Sequence, residues 1–366
     1  SRDNNMYWKD GNLPWVSIAD LSKSQIYIEN SKEMITNLAA KDTLMKCIPQ
    51  DTVIMSFKLS LGKTAITRTP LYTNEAIMAF LDKKVIQIES KYIYFLFRNI
   101  QWGQYTNNAV KGKTLNKKFF SDFQINIPEY IQQKKIASIL IRINKILEYK
   151  HSLIKAYDAL IKSRFVELFG DPNIVKSNKC VKFSSIAKII TGNTPSRKSP
   201  EYYGDYIEWI KSDNIVSTDL YISQAKEFLS EQGAVKGRIA PKDSLLMTCI
   251  AGSIRSIGNV GLCNRSVAFN QQINAIVLEN DINPLYVYWL LKLFKPSIIA
   301  NVEMSLKGII SKSQLENMFI PIVASNTEQE VFAKFVLQIN KLKSDVQKSI
   351  DETQLLMDSL MQEYFG

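Results

Sequence analysis

The sequence has few of the residues that build catalytic and metal-binding sites, with one histidine and four cysteines among 366 residues. The cysteines are widely spaced and form no CxxC pair, which excludes the usual spacing of a structural zinc site. His151 alone cannot supply a Ser-His-Asp triad or a cluster of several histidine ligands. The sequence also lacks a GxxxxGK[ST] loop for ATP. These absences favour a binding protein over an enzyme.

Long hydrophobic runs are also missing, since no apolar stretch approaches the roughly 20 residues that a membrane-spanning helix needs. The first residues, Ser1 to Asn4, have none of the features of a signal peptide. Together with the scattered cysteines, this pattern predicts reduced thiols, a cytoplasmic location and no membrane partner.

Positive charge is what the sequence has in excess, with 46 Lys and Arg against 35 Asp and Glu and a formal net charge of +11. The pI near 9.2 favours a polyanionic partner such as nucleic acid. A cationic surface that only keeps a protein in solution gives the same composition. The length exceeds that of one typical domain, so we expect two or more domains.

An internal repeat with a separation of 196 residues organises the sequence. Towards the N-terminus the separation falls to 192, between Pro49 and Pro241, and such drift is typical of insertions in surface loops. Residues 171–195 have no counterpart before Ser1, from which we expect about 25 further residues in the natural chain. The matched segments include Lys111-Gly112 with Lys307-Gly308, Gly62 with Gly258, Asn74 with Asn270, Ile143-Asn144-Lys145 with Ile339-Asn340-Lys341, and Phe169-Gly170 with Phe365-Gly366.

Each repeat unit combines a compact mixed domain with a long helix. Short β-rich runs alternate with turns in the first part of each unit, whereas Tyr130 to Phe169 and Glu328 to Phe365 have helical periodicity and no proline or glycine. We therefore predict an α+β fold with two similar mixed α/β domains and two long helices. The predicted boundaries are residues 1–128 for the first domain, whose N-terminal part is missing, 129–170 for the first helical region, 171–325 for the second domain and 326–366 for the second helical region.

Both helices have apolar residues at alternating steps of four and three, which is the seam of a coiled coil. A lone helix of about 60 Å would leave this stripe in water, so we expect the two helices to pack on each other. The intervening domain gives the chain room to return antiparallel, with the domains at opposite ends and related by a pseudo-twofold axis. The predicted seam residues are Ile139, Ile143, Ile146, Leu153, Tyr157 and Leu160 in the first helix and Phe335, Ile339, Leu342, Val346 and Leu356 in the second, with Lys150, Ser349 and Thr353 at intervening seam positions.

Several short motifs occur in both units in the same order. The repeated motifs are Leu13-Pro14-Trp15-Val16-Ser17 with Ile207-Glu208-Trp209-Ile210-Lys211-Ser212, Leu61-Gly62-Lys63 with Ile257-Gly258-Asn259, Asn74-Glu75 with Asn270-Gln271, and Gln132-Gln133-Lys134-Lys135-Ile136-Ala137 with Glu328-Gln329-Glu330-Val331-Phe332-Ala333. A further motif, Thr191-Gly192-Asn193-Thr194-Pro195-Ser196, stands at the start of the second domain. In this order they resemble the specificity subunits of type I restriction-modification systems, in which target-recognition domains alternate with helical conserved regions. The resemblance covers essentially the whole sequence. Glu75 stands where the second unit has Gln271, so the target that is read cannot be inferred.

The resemblance implies a non-catalytic subunit that recognises an interrupted sequence in double-stranded DNA, with one domain for each half-site. A rigid spacer between two heads is also how DNA-binding dimers read half-sites at a fixed distance. The resemblance further implies two modification subunits that methylate adenine with S-adenosylmethionine, and restriction subunits that use ATP and Mg to translocate and cut DNA. No cofactor is expected in this chain, and the helical regions are the expected docking surface for the modification subunits.

Loops that follow strands are the expected source of DNA contacts, because they project from the scaffold. Amide side chains match the adenine edge and guanidinium groups match the guanine edge, whereas lysines hold phosphates. The candidates for adenine are Asn74, Asn270, Gln271 and Gln272, and those for guanine are Arg255 and Arg265. The other candidates are Lys58, Lys63, Arg68, Arg197, Lys211 and Asn259 in the loops, and Lys111, Lys113, Lys117, Lys307 and Lys312 for phosphates.

The segment Asn283-Pro284-Leu285-Tyr286 resembles the Asn-Pro-Pro-Tyr signature of amino-methyltransferases. The equivalent stretch of the first unit lacks it, and no glycine-rich loop for S-adenosylmethionine precedes it. We interpret Asn283 and Pro284 as the N-cap and the first residue of a helix, so methyl transfer is not assigned to this chain.

Two other functions fit the same sequence pattern. A structural adaptor could hold protein partners with its paired helices and its two heads. The chain could also be the recognition part of a fused methyltransferase-endonuclease, which contains the same domains.

Overall fold

The computed structural model describes residues 4–105, 115, 117–174, 180–279, 281–300, 309–322 and 324–366. Within these ranges, no helix combines the length and the apolar character needed to cross a lipid bilayer. Contacts divide the chain into two compact units, of which the first is Ser1–His151 with Gln347–Gly366 and the second is Ser152–Val346. Each unit therefore contains one mixed domain and part of each long helix.

The first domain is built on two small sheets. Its strands are β1 (Leu13–Val16), β2 (Tyr27–Ile28), β3 (Glu33–Ile35), β4 (Val53–Ser56), β5 (Thr64–Thr67), β6 (Tyr72–Thr73) and β7 (Ile77–Phe80), and its helices are α1 (Ile18–Leu21), α2 (Asn37–Asp42), α3 (Ser90–Asn99) and α4 (Lys117–Asp122). The sheet orders are β3-β1-β6 and β2-β5-β4-β7. Every side chain of β4 and β5 is buried, as expected for strands covered on both faces. The aromatic residues of α3 share their core.

The second domain repeats this arrangement with additional strands. Its strands are β8 (Val181–Lys182), β9 (Ala187–Thr191), β10 (Tyr203–Gly204), β11 (Ile207–Ile210), β12 (Phe228–Leu229), β13 (Ile239–Ala240), β14 (Leu245–Thr248), β15 (Val260–Leu262), β16 (Val267–Phe269), β17 (Ile273–Leu278) and β18 (Phe319–Ile320), and its helices are α6 (Glu231–Lys236), α7 (Pro284–Ala300) and α8 (Lys312–Asn317). The sheet orders are β10-β12-β11-β16-β13, β15-β14-β17-β9 and β18-β8.

Corresponding strands pair in corresponding register in the two domains. β1 and β6 are parallel with Trp15 opposite Tyr72, and β11 and β16 are parallel with Trp209 opposite Ala268. Tyr72 and Ala268 are 196 positions apart, the separation found in the sequence. The antiparallel pairs β4–β5 and β14–β15 correspond in the same way. The predicted internal repeat is therefore present in the strand pairing itself.

The long helices are α5 (Tyr130–Phe169) and α9 (Asn326–Phe365), each of 40 residues. In the second unit, Asp158 of α5 lies 2.6 Å from Lys343 of α9, and the ring of Phe165 lies 5.4 Å from that of Phe332. A later residue of α5 thus meets an earlier residue of α9, so the helices are antiparallel there. The same holds in the first unit, where Lys150 donates a hydrogen bond of 2.7 Å to the hydroxyl of Ser349.

A buried glutamine joins the start of each long helix to its domain. Gln133 accepts a hydrogen bond from the backbone of Glu89 at 2.9 Å and donates to the carbonyl of Pro128, also at 2.9 Å. Gln329 accepts from the backbone of Asn283 at 3.0 Å and donates to the carbonyl of Ala324 at 3.1 Å. Both side chains are almost fully buried, so their bonds satisfy backbone groups that water cannot reach.

The seam of the helix pair differs from the predicted seam at four positions, each displaced by one residue. The predicted positions Ile143, Tyr157, Ile339 and Val346 are buried or half-buried, and Ile139, Leu153 and Phe335 are half-buried. In contrast, Ile146, Leu160, Leu342 and Leu356 are between 45% and 52% exposed. The next residues, Leu147, Ile161, Lys343 and Met357, are buried or half-buried instead.

The physical reason for this shift is the presence of adjacent apolar residues, such as Ile146-Leu147 and Leu160-Ile161. After Ile143, the next seam residue could be three positions on, at Ile146, or four positions on, at Leu147. Both side chains are apolar, so the periodicity of the sequence does not decide between the two seams. The helices adopt the steps that bury Leu140 and Leu147. Leu140 also belongs to the core of the first domain, which fixes the rotation of α5.

Candidate nucleic-acid interface

In each domain, loops that follow neighbouring strands are joined by hydrogen bonds. The second loop cluster consists of residues 192–197, 211–214, 249–259 and 270–272. In it, the backbone of Asn193 donates to Phe269 at 3.2 Å, that of Asn270 to Ile210 at 3.0 Å and that of Cys249 to Gln272 at 2.8 Å. The cluster therefore brings together the loops after β9, β11, β14 and β16 at one end of the second domain.

The first loop cluster consists of residues 17, 57–63 and 74–76 of the first domain. The backbone of Asn74 donates to Val16 at 3.1 Å, as Asn270 does to Ile210, and the backbone of Phe57 donates to Ala76 at 3.0 Å. The two clusters are thus equivalent ends of equivalent domains, and they contain most of the described side chains that the sequence predicts for DNA contact.

Asn74 and Asn270 shape the turns in these clusters. The side-chain oxygen of Asn74 accepts a hydrogen bond of 3.1 Å from the backbone of Ala76, and that of Asn270 accepts one of 3.1 Å from Gln272. This is the Asx turn, in which a short side chain replaces a backbone partner. An amide oxygen has two lone pairs, so the base contact predicted for these two residues is not decided by this turn and stays a prediction.

Gln271 is the amide side chain that the second cluster presents to solvent. It is exposed, and its oxygen accepts a hydrogen bond from the hydroxyl of Thr194. The neighbouring Gln272 accepts from Ser212 at 3.2 Å and from Asn270 at 3.1 Å. Gln271 is therefore held from a second loop through its oxygen, and its exposed position suits a side chain that reads a base edge.

Arg197 and Lys211 of the second cluster contact the same aromatic ring, that of Trp209, and the same carboxylate, that of Glu227. The guanidinium of Arg197 lies 4.5 Å from the ring centre of Tyr203 and 5.1 Å from that of Trp209. Both cations pair with Glu227, Arg197 at 2.6 Å. The hydrogen bond from Lys211 and that from Arg197 hold the pKa of the Glu227 carboxyl below its ordinary value. Two cations against one carboxylate leave net positive charge at this end of the domain.

Arg68 and Arg265 lie away from the loop clusters, contrary to the predicted grouping. β4 and β5 are antiparallel, and so are β14 and β15. The loop that joins each pair lies at one end of its sheet, and the residues that follow β5 or β15 lie at the other end. Arg265 donates to Glu208 at 2.8 Å, and Arg68 stacks on Tyr27 at 4.6 Å. The hydrogen bond from Arg265 lowers the pKa of Glu208. The guanine contact predicted for Arg265 stays a prediction, for a residue that lies outside the loop clusters.

The loop at 249–259 is fixed from α7 by Lys295, which the sequence did not single out. Its ammonium donates to the backbone oxygen of Arg255 at 2.7 Å and to the side chain of Asn259 at 2.6 Å. Asn259 is thereby occupied within the protein, whereas the Arg255 side chain is exposed. Arg255 thus keeps the position predicted for a base-reading arginine.

The equivalent loop glycines Gly62 and Gly258 have left-handed backbone conformations. Gly62 has a φ of +78°, and a Cβ there would lie 2.6 Å from the ring of Trp102. Gly258, its repeat equivalent, has a φ of +73°. These left-handed conformations explain why glycine stands at both positions.

The remaining predicted phosphate contacts are only partly described. Lys63 is exposed in the first cluster, and Lys58 lies 5.4 Å over the ring of Phe57. Lys312 begins α8 and pairs with Glu316 at 3.5 Å. Lys111, Lys113 and Lys307 lie outside the described residues, as does the side chain of Lys117.

The methyltransferase-like segment is a helix start, as predicted. The side-chain oxygen of Asn283 accepts a hydrogen bond of 3.0 Å from the backbone of Leu285, and Pro284 is the first residue of α7. Among the described residues, no three His, Cys, Asp or Glu side chains gather where a metal ion could be held. Burial raises the pKa of the Cys249 and Cys263 thiols to about 12.

Comparison with known proteins gives concordant matches. Residues 2–156 and 176–353 match the family described as type I restriction modification DNA specificity domain. The MjaIX specificity subunit of a type I restriction enzyme from Methanocaldococcus jannaschii is 25% identical over 236 residues, which are 63% of this chain and 53% of that protein. The chain thus spans about half the length of this relative.

Two solved structures share the fold at 14% sequence identity. The crystal structure of the type I restriction-modification S subunit from M. genitalium has a TM-score of 0.58, over 100% of this chain and 91% of that one. A chain from a structure on complex assembly and conformational transition of the type I R-M system has a TM-score of 0.62, over 96% and 91%.

Proposed function

Because the chain belongs to the type I restriction-modification DNA specificity family, we propose that it is the subunit that reads an interrupted DNA target, with one domain for each half-site. The observation that carries the proposal is the pair of equivalent loop clusters, which sit on domains with matched strand pairing. Because their side chains differ, as Glu75 and Gln271 do, the two half-sites need not be related in sequence.

We further propose that the chemistry belongs to partner subunits. Members of this family are in general non-catalytic. The expected partners are two modification subunits, which would methylate adenine with S-adenosylmethionine, and restriction subunits, which would use ATP and Mg to translocate and cut DNA in the prokaryotic cytoplasm. In this proposal the helix pair formed by α5 and α9 is the docking surface for the modification subunits, and this chain itself holds no cofactor.

The test is a domain exchange followed by mapping of methylated adenines in the host genome. Residues 181–322 are replaced by the corresponding domain of another family member, and the genome is compared with and without the native gene. We expect one half of the methylated sequence to change and the other half to stay. If both halves remain as they were, the modular reading is wrong.

A binding measurement separates this function from that of a structural adaptor. A protein that neutralises DNA phosphates must lose affinity steeply as salt rises, because bound counterions are released on binding. We expect this dependence for the chain assembled with its methyltransferase partner. A salt-independent affinity, or none for DNA, would favour the adaptor.

A further inference from the structure

A second cationic surface lies beside the second loop cluster, in a groove of about 540 Å³ along β9. Its basic lining residues are Lys188, Arg238 and Lys312, and the other lining residues are isoleucine, threonine and glycine. Among the described residues that line it, none carries a carboxylate. All three basic side chains are exposed, so their charges face solvent.

The fold brings these three cations together from separate elements. In β9, Ala187 and Ile189 are buried in the core, so the alternation of a strand directs Lys188 to the other face. Arg238 stands between α6 and β13, and Lys312 is the first residue of α8. Like charges gathered in this way repel one another, and within the part of the chain that the structure describes only Lys312 is in an ion pair, with Glu316 at 3.5 Å. A polyanion in the groove would relieve this repulsion.

The groove is continuous with the second loop cluster. β9 leads from Lys188 to Thr191, and the cluster begins at the next residue. The side chain of Asn193 donates to the backbone oxygen of Lys236 at 2.7 Å, which ties this loop to the segment that contains Arg238. One residue further, Thr194 donates to Gln271. A strand of DNA read by Gln271 would therefore have its backbone beside the groove.

We propose that Lys188, Arg238 and Lys312 form a phosphate-binding groove, which holds the DNA backbone next to the base pairs read by the second loop cluster. The inference rests on the proposed function and adds a site to it. Three solvated cations contribute by releasing counterions from DNA, so they supply affinity for any sequence and do not discriminate between bases.

The experiment compares three proteins, each assembled with the methyltransferase partner. They are the native chain, the triple variant Lys188→Gln, Arg238→Gln and Lys312→Gln, and a control triple variant of exposed lysines of the same unit outside the groove and outside the helix pair, Lys182→Gln, Lys226→Gln and Lys242→Gln. The Kd is measured at several KCl concentrations for a duplex with the mapped methylation target and for a scrambled duplex of equal length. Thermal unfolding checks that the variants are folded.

For the groove variant we expect the slope of log Kd against log salt to become shallower by roughly 2 to 3. Both duplexes should bind at least about tenfold more weakly, by a similar factor, so that their ratio is unchanged. Equal slopes for the groove and control variants would overturn the groove, as would a loss confined to the target duplex. If the native assembly binds neither duplex, the proposed function itself fails.

Discussion

Lys150 of α5 and Thr353 of α9 are joined across the helix pair, with the ammonium nitrogen 2.6 Å from the hydroxyl oxygen. The same ammonium donates to the carbonyl and the hydroxyl of Ser349, at 2.9 and 2.7 Å. Lys150 is half-buried at a seam position where coiled coils usually place an apolar side chain. A polar residue there lowers stability but makes shifted alignments of the helices unfavourable, because its partners are then lost.

We therefore expect Lys150→Leu to raise the free energy of unfolding by about 1 kcal/mol. The seam would gain an apolar contact, and folding would no longer have to remove an ammonium group from water. Thr353 would keep a partner, because its hydroxyl also donates to the carbonyl of Ser349 at 2.6 Å. Urea denaturation measures the change. Lys155→Leu, at an exposed position of the same helix, is the control and should change stability by less than about 0.5 kcal/mol. A clear loss of stability in Lys150→Leu would contradict this view of the seam.

Gln133→Ala should destabilise the protein by roughly 2 to 4 kcal/mol, because it leaves buried backbone groups without partners. The groups affected are the amide of Glu89 and the carbonyls of Gln87 and Pro128. The matched control is Gln132→Ala, one residue earlier on the exposed face of α5, for which we expect almost no change. Similar effects of the two substitutions would show that burial at Gln133 carries no structural role.

Glu208→Gln should lower stability at pH 7 by about 1 to 3 kcal/mol through loss of the charged partner of Arg265. The hydrogen bond from Arg265 depresses the pKa of Glu208 below its ordinary value of 4.5. The contribution of the carboxylate is thus complete above pH 4.5 and is lost as the pH falls through the depressed pKa. The free energy of unfolding is measured for both chains at pH 7 and near pH 3. The difference between the native chain and the variant should be smaller near pH 3. A constant difference at both pH values would refute this account.

Gln271→Ala should weaken discrimination between target and scrambled duplexes by roughly 1 to 3 kcal/mol, the usual value of one well-placed base contact. The salt dependence of binding should stay as in the native chain, because no phosphate contact is removed. Binding to both duplexes by the methyltransferase assembly provides the measurement. Arg265→Gln serves as the comparison, since Arg265 lies at the other end of the domain and should leave discrimination intact. The reverse pattern would place the reading surface at the Arg265 end.

The repeat made most of the fold predictable from the sequence, because matched segments of the two repeats form strands that pair in the same way. Trp209 could be matched to Trp15 before either strand was known. The seam was predicted only in part, since neighbouring apolar residues such as Ile146 and Leu147 satisfy both heptad alignments and the choice depends on contacts with the domain. Single candidate residues were less predictable. Arg265 and Arg255 have the same chemistry, and only the antiparallel strand pairing places them at opposite ends.

Some residues of the candidate site could not be predicted from any sequence motif. Glu227 pairs with two cations from other segments, and Lys295 reaches the loop at 249–259 from α7. Neither belongs to a motif, and both act through contacts distant in sequence. Lys188 and Arg238 were also not predicted, because their proximity arises only when β9 lies beside the segment after α6.

The last twenty residues of the chain, Gln347–Gly366, belong to the first unit, where the ring of Phe365 lies 5.3 Å from that of Tyr92. During translation, the apolar core of the first unit therefore stays incomplete until Gln347–Gly366 has been synthesised, nearly two hundred residues after the rest of that unit. A chain truncated after Val346 would retain every residue of the second unit and yet damage the first, whose domain lies more than two hundred residues earlier in the sequence.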